Sequence, residues 1–333
     1  MDIKLLDCTL RDGSHVNKGD FKYETIITTI SGLVQSGIDF VELGFLRDCN
    51  YNKDVSYYTD IRQAECLLPD NTKNTEFSVM CRPDWYSFDK YFKFTSGKIK
   101  YIRIAFHGKD LDLALKFAQM ARENGFKIAF NPVNVTGYKE PDLRAILRKI
   151  AAFSPYSINI VDTFGALYPD TLESILSTFA DIVPGEIIIG LHPHENLSQS
   201  LANSIRYLEF TQSRGQAILD SSLMGMGRIP GNMPTEIIMD YLNKRHSKQY
   251  ELKPVVNLIE KCILPVREKY SWGYNPYFFL SAIHNVNRTY AEYLSEKGLS
   301  LNETAAVIKK IPDEEKNLFN NKIADILNCE TSV

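Results

Sequence analysis

Ile187-Ile188-Ile189-Gly190-Leu191-His192-Pro193-His194-Glu195-Asn196 is the stretch on which the reading of this chain turns. Its aliphatic first half reads as a parallel strand, because strands covered on both faces carry near-continuous apolar runs rather than alternation. Its second half turns polar and leads into a helix. Two histidines two residues apart on an extended segment point to the same side, so two imidazoles can reach one cation. Neutral imidazole is the commonest protein metal ligand near neutral pH. The competing reading makes one histidine a helix cap and the other a polar loop residue, and the pair alone leaves both open.

Runs of the same kind recur on either side. Strands are expected at 3–8, 39–43, 76–81, 101–106, 127–130, 157–161, 186–190 and 217–220. Helical spacing fills most gaps, as at 111–124 with Gly125 as a stop, at 170–182 and at 197–210. The segment 49–70 is the least regular. Eight strands alternating with helices predict an α/β fold, a (β/α)8 TIM barrel, which takes about 250 residues. An open doubly wound sheet uses the same alternation. Its dinucleotide fingerprint is missing after the first strand, where the chain reads Thr9-Leu10-Arg11-Asp12-Gly13. The glycines of Gly225-Met226-Gly227-Arg228-Ile229-Pro230-Gly231 have another spacing and read as a tight loop after strand eight, with phosphate binding as the lesser reading. Residues 1–245 are therefore expected to form a catalytic barrel domain. Residues 246–333, with helical periodicity at 255–270, 277–294, 302–310 and 313–327, are expected to form a helical extension packed on it.

The bulk numbers narrow the class. The chain has 333 residues, 44% of them hydrophobic and 24% charged, and a net charge of -3. That balance argues against a nucleic-acid or anionic-membrane partner. No apolar run approaches the roughly 18 residues needed to span a bilayer. The N-terminus starts in a strand-like pattern without a signal-peptide core, so a cytoplasmic location is expected. Six scattered cysteines form no Cys-x-x-Cys pair, which suggests neither a zinc cluster nor a disulfide framework.

A TIM barrel gathers its chemistry at the C-terminal ends of its strands. Here those ends carry Arg11, Asp12 and His15, then Glu42, Arg103 with His107, Asn131, Asp162 with Thr163, His192 with His194, and finally Arg228 and Asn232. Any one of these has a dull explanation; Glu42 and Asp162 could simply bond loop backbone. Their joint occurrence at one rim is harder to dismiss. Two histidines with one carboxylate and open coordination positions suit a divalent metal, Mn²⁺, Mg²⁺, Co²⁺ or Zn²⁺. Asp12 is the natural carboxylate, since strands one and seven face each other across a small barrel. A metal in such a site acts as a Lewis acid and stabilises an enolate. Arg11 can hold the same oxyanion, or serve in a structural ion pair. His15 is a candidate proton shuttle, or a surface loop residue. Thr163, Asn131 and Glu42 are candidate substrate-binding groups beside Arg11.

Three motifs, Asp7-Cys8-Thr9-Leu10-Arg11-Asp12-Gly13, Gly190-Leu191-His192-Pro193-His194-Glu195-Asn196, and Gly225-Met226-Gly227-Arg228 followed by Gly231-Asn232 and Thr235-Glu236, occur in that order. Together they resemble the pyruvate-metabolising, metal-dependent barrel superfamily (HMG-CoA lyase-like, or DRE-TIM metallolyase) that includes isopropylmalate synthase, HMG-CoA lyase and 4-hydroxy-2-oxovalerate aldolase. The resemblance implies Asp12, His192 and His194 as metal ligands and Asn232 as a fourth or supporting group, with Mn²⁺ as the expected ion. The condensing and CoA-lyase branches carry glutamine two residues after the Arg-Asp-Gly, where this chain has His15. That histidine is similar to the acid/base residue of the 4-hydroxy-2-oxovalerate aldolase branch. Asn196-Leu197-Ser198 with Ala202-Asn203-Ser204 also looks like that branch. The cysteine that CoA lyases carry in the last glycine loop is absent, since none lies between Cys81 and Cys262. Two segments depart from the aldolases. Glu42-Leu43-Gly44-Phe45 is closer to the condensing enzymes, and Asp162-Thr163-Phe164-Gly165 replaces a small Ser-Gly-Gly type loop.

The resemblance thus implies a class II, divalent-metal-dependent pyruvate aldolase. It would cleave or form a 4-hydroxy-2-oxo acid through a metal-bound pyruvate enolate, with an aldehyde as the other partner. It also implies an active-site tyrosine from Trp272-Gly273-Tyr274-Asn275-Pro276-Tyr277, either Tyr274 or Tyr277. Such aldolases pair with an acylating aldehyde dehydrogenase, which makes that partner conceivable here, and a homo-oligomer is expected. Two alternatives stay open. One is a Claisen-type acyltransferase joining an acyl-CoA to a 2-oxo acid, and the other is a non-catalytic barrel serving as an interaction module.

Overall fold

The aliphatic runs are buried as two-sided strands require: Leu5, Val41, Val79, Ile102, Ile158 and Leu219 are inaccessible to solvent. The structure is a computed structural model that describes residues 1–92, 96–228 and 230–331, so Ile229 of the last glycine loop lies outside the described residues. Eight strands form the barrel: β1 (Asp2–Asp7), β2 (Phe40–Leu46), β3 (Glu76–Cys81), β4 (Ile99–Phe106), β5 (Lys127–Pro132), β6 (Ser157–Val161), β7 (Ile188–His192) and β8 (Gln216–Ser221). Each pairs in parallel with the next in sequence. β8 pairs with β1, which closes the sheet and removes the open-sheet alternative.

Two strands differ from expectation in ways that matter for the site. β2 runs on to Leu46 because its register slips between Glu42 and Phe45. At that bulge Gly44 adopts φ +147°, and a Cβ there would lie 2.1 Å from the Ser56 carbonyl oxygen. β7 ends at His192 rather than Gly190, so the first histidine is anchored inside the ladder, opposite Val161. Gly190 is required for a different reason: a side chain there would strike the Asn159 amide, 1.9 Å from its Oδ1.

Helices Tyr23–Ser36, Leu111–Glu123, Glu140–Ala152, Pro169–Ile182, Ser200–Thr211 and Thr235–His246 wrap the outside. The irregular 49–70 segment yields only the two-residue strand Tyr57–Tyr58 on the end of β2 and the one-turn helix Ile61–Glu65. That helix starts on an Asp60–Gln63 capping box. After His246, helix Leu252–Leu258 passes through a widened turn, Ile259–Ile263, into Leu264–Arg267. The wide turn accommodates Pro265, which has no N–H and would crowd a regular helix. Leu258 packs onto Gly32, where a Cβ would come within 2.7 Å of it, so this part of the extension shares the barrel's core.

Helices Pro276–Ile283, Thr289–Glu296, Leu301–Lys309 and Asn321–Thr331 build a second core from Phe278, Val286, Tyr290, Leu294, Val307 and Ile308. The helix expected over 277–294 is broken where Asn285 takes φ +50°. Asn287, Arg288 and Thr289, in and just after the break, line a cavity at the barrel mouth. The barrel interior is layered, as in this fold generally. Leu6, Phe40 and Tyr101 fill one level, with Phe40 and Tyr101 edge to face at 5.0 Å. Arg103, Glu42, Asn131, Asn159 and Asp220 form a buried polar level between strands.

Candidate metal centre

β1 runs into two short helical turns, Thr9–Asp12 and Ser14–Asn17. Residues three and four apart on such turns share a side, and Arg11, Asp12 and His15 all face the mouth cavity. The turns are tied to the last glycine loop, because Leu223 N–H donates to Thr9 Oγ1 at 2.7 Å and Thr235 Oγ1 donates to Asp7 at 2.6 Å. Asp12 thereby meets β7. One ligand atom each from Asp12, His192 and His194 lies within 4.8 Å of the others, and all three residues are buried.

The two imidazoles turn their Nε2 atoms toward one another, 3.1 Å apart. Each Nδ1 is held from behind. His192 Nδ1 lies 2.9 Å from Asp220 Oδ2, and His194 Nδ1 lies 3.1 Å from the Thr163 carbonyl oxygen. An acceptor at Nδ1 fixes the proton there and leaves the Nε2 lone pair free, the arrangement found behind metal-ligating histidines. Burial, with help from His192, lowers the His194 pKa to about 3, so its ring is neutral at physiological pH. Burial alone would raise the Asp12 carboxyl, but Arg11 and the histidines outweigh it and hold the group ionised. Asp12 Oδ2 accepts from Asn232 Nδ2 at 2.8 Å and from the Arg228 backbone N–H at 3.0 Å. Asn232 Oδ1 is buried without a partner among the described residues. An anionic oxygen with two imidazole nitrogens turned inward, preorganised and partly unsatisfied, fits a divalent cation of the Mn²⁺ to Zn²⁺ series.

The glycine loop after β8 serves this carboxylate. A side chain at Gly227 would lie 2.4 Å from Asp12 Oδ2 and 2.3 Å from Asn232 Nδ2. Only a bare backbone passes there, and the next N–H donates to Asp12. Beneath the triad, Arg11 bonds Asp12 through Nη1 and Glu42 through Nε, the latter at 2.6 Å. Arg103 bridges Glu42 at 3.0 Å to Asp220. The chain of contacts therefore runs from His192 through Asp220, Arg103, Glu42 and Arg11 back to Asp12. Its two guanidiniums and three carboxylates carry a net charge of -1, which favours a cation at its open end.

A family model described as HMGL-like matches residues 2–261. The chain belongs to the HMGL-like family. A 4-hydroxy-2-oxovalerate aldolase from Pseudoalteromonas translucida is 23% identical over 280 residues, covering 81% of this chain and 79% of that protein. Among solved structures, the N-terminal domain of an aldolase candidate from Bacteroides vulgatus superposes with a TM-score of 0.75 at 26% identity, over 90% of this chain and 98% of that one. An HMG-CoA lyase from Bacillus subtilis reaches 0.65 at 17% identity, over 80% and 93%, a likeness of fold. With relatives of this kind along most of its length, the HMGL-like chain is an enzyme of the lyase type.

The structure brings most of the sequence-derived residues together and separates others. Arg11, His15, Asn131 and Thr163 line the cavity with the triad. His15 Nε2 lies 3.9 Å from Asp12 Oδ1, and its ring stands edge-on to Phe45 at 5.7 Å. Burial lowers the His15 pKa. Arg11 does form the ion pair that its alternative reading named, yet its Nη2 has no partner among the described residues. Glu42 is a correction: it is fully buried, bonded to both arginines, and does not line the cavity. Asp162 does what its bland reading said, accepting from the N–H groups of Ala166 and Leu167.

The tyrosines are corrections too. Tyr274 is 62% exposed, and Tyr277 donates its hydroxyl to the Leu299 carbonyl at 2.9 Å; neither lines the cavity. The extension contributes Asn287, Arg288 and Thr289 instead. Asp220 behind His192, Trp85 and Arg82 at the mouth, and Arg288 were missed. Asp220 alone had a signal, as a carboxylate closing the eighth strand.

Proposed function

We propose that this chain is a divalent-metal-dependent aldolase that cleaves a 4-hydroxy-2-oxo acid to pyruvate and an aldehyde. The observation that carries the reading is the buried Asp12–His192–His194 set with His15 beside it in one cavity of about 370 Å³. Asp12, His192 and His194 would hold the ion, with Mn²⁺ the first to try, and Asn232 would steady Asp12. A divalent cation bound there supplies Lewis-acid polarisation of the 2-oxo acid's carbonyl. Arg11 offers its free Nη2 to the oxyanion that develops as the C3–C4 bond breaks, a preorganised contact of a kind worth about 3–4 kcal/mol. His15 takes the proton from the C4 hydroxyl, for which a neutral imidazole is the needed state. Phe45 packs against His15 and lies 5.9 Å from the Arg11 guanidinium, so it fixes both. Six free cysteines accord with action in a reducing cytoplasm. No helix among the described residues is long and apolar enough to cross a membrane.

The aldolase reading is preferred to thioester chemistry because His15 stands where an acid/base group is needed for a hydroxyl. Two variants test it. His192→Ala should lose bound metal and turnover together. His15→Ala should keep the metal, measured by elemental analysis, and lose at least about a hundredfold in pyruvate release. Full turnover in His15→Ala would sink the acid/base assignment.

A further inference from the structure

Three further guanidiniums line the same cavity. Arg82 follows β3, Arg228 lies in the glycine loop after β8, and Arg288 sits in the break of the extension. Arg82 is accounted for locally, paired with Asp84 at 2.6 Å and stacked 4.0 Å from the Trp85 ring. Arg228 is not, and Arg288, 5.5 Å from the Phe278 ring, is so only in part. The Arg228 guanidinium bonds the Asn287 side chain, at 3.3 Å, and has no carboxylate partner among the described residues. Arg288 is 12% exposed and has one ion pair, Nη1 to Glu292 at 3.2 Å. The Nε atoms of both are buried with no hydrogen-bond partner among the described residues. Buried donors on a charged group are costly to leave unpaired. These three guanidiniums have two carboxylates paired with them, Asp84 and Glu292, and share the cavity with Asp12.

Neither the metal set nor the fold uses these donors. They belong to loops and to the extension, whereas Arg11, the group suited to the pyruvyl end, projects from the turns after β1. We infer that the aldehyde half of the substrate carries its own anionic group, a carboxylate or a phosphate, received by Arg228 and Arg288. This rests on the aldolase reading for the word aldehyde, though not for the anion site itself. Guanidinium forks suit both anions, and a cavity of about 370 Å³ falls in the size range that encloses whole small-molecule ligands.

The Mn²⁺-loaded enzyme should be assayed for pyruvate release from three 4-hydroxy-2-oxo acids bearing at C4 a methyl group, a carboxylate or a phosphate-bearing chain. One anionic substrate should exceed the methyl compound about tenfold or more in kcat/KM, and the better arm identifies the anion. In Arg228→Met and in Arg288→Met that ratio should fall about 10- to 100-fold, the range for losing a charge-assisted hydrogen bond. Equal kcat/KM for all three substrates overturns the inference. A second measurement does not depend on turnover. Metal-free protein is titrated with inorganic phosphate and with acetate, and the Kd for one of them should weaken about tenfold or more in each variant. Unchanged Kd values in both variants also overturn it. If no substrate releases pyruvate but anion binding still requires Arg228 and Arg288, the aldolase reading falls and the anion site stands.

Discussion

Asp12 is held by three donors: the Arg11 guanidinium, the Asn232 amide and the Arg228 backbone N–H. That leaves its carboxylate little freedom and aims it at the two imidazoles. Supporting contacts of this kind typically set 10–100-fold in metal affinity. Asp220→Asn should therefore weaken Mn²⁺ binding by about that factor, read by titration, with the fold intact by circular dichroism; unaltered affinity would remove Asp220 from the account. Gly227→Ala pushes a methyl group into Asp12 and Asn232. It should weaken metal binding at least about tenfold and cost about 1–3 kcal/mol of stability by denaturant unfolding. The triad and His15 were legible in the sequence because each ends or closely follows a strand and the geometry of a barrel carries strand ends to one rim. Asp220 showed only as a strand-end carboxylate, since His192 lies 28 residues away, and Arg288 did not show, since the cavity it lines is assembled from other loops.

Among the elements, β6 and its loop show how burial sets a pH response. Asp162 opens that strand's loop, and burial raises its pKa to about 7 against the effect of two backbone donors. The folded state thus keeps the proton up to about pH 7, while the unfolded chain releases it near 3.8. Unfolding releases a proton in that window, so this group's contribution to stability is lost as pH rises through it. Asp162→Asn should accordingly gain stability relative to the parent between pH 4 and pH 8, followed by the difference in Tm; a difference independent of pH would contradict the assignment. The extension's elements were harder to read than the barrel's. Helical periodicity located 277–294 but did not reveal the break at Asn285, because a single left-handed residue leaves the apolar spacing on either side undisturbed. The tyrosine taken from the resemblance, Tyr274 or Tyr277, does not line the cavity, and the break brings Asn287 and Arg288 to the mouth.

At the scale of the whole molecule, a closed barrel supplies the metal set and the extension supplies part of the cavity wall. Near the mouth the two parts meet through polar contacts, Asn134 to Asn317 at 2.6 Å and Thr136 to Asn285 at 2.8 Å. Leu294→Ala, in the extension's own core, should cost about 2–5 kcal/mol and raise KM more than it lowers kcat, because Arg288 and Thr289 lose their support while the triad keeps its own. The fold class was legible because eight apolar runs at near-regular spacing admit few closed arrangements. The aldehyde's identity was not, because it depends on side chains from distant loops. The central claim is that pyruvate release depends on an ion held by Asp12, His192 and His194. The direct measurement is pyruvate release from a 4-hydroxy-2-oxo acid before and after chelation, with Mn²⁺ added back, in the parent and in His192→Ala. The account predicts activity that is lost on chelation, restored by Mn²⁺ in the parent and not restored in the variant. Full turnover by thoroughly chelated protein, or by His192→Ala, would contradict it.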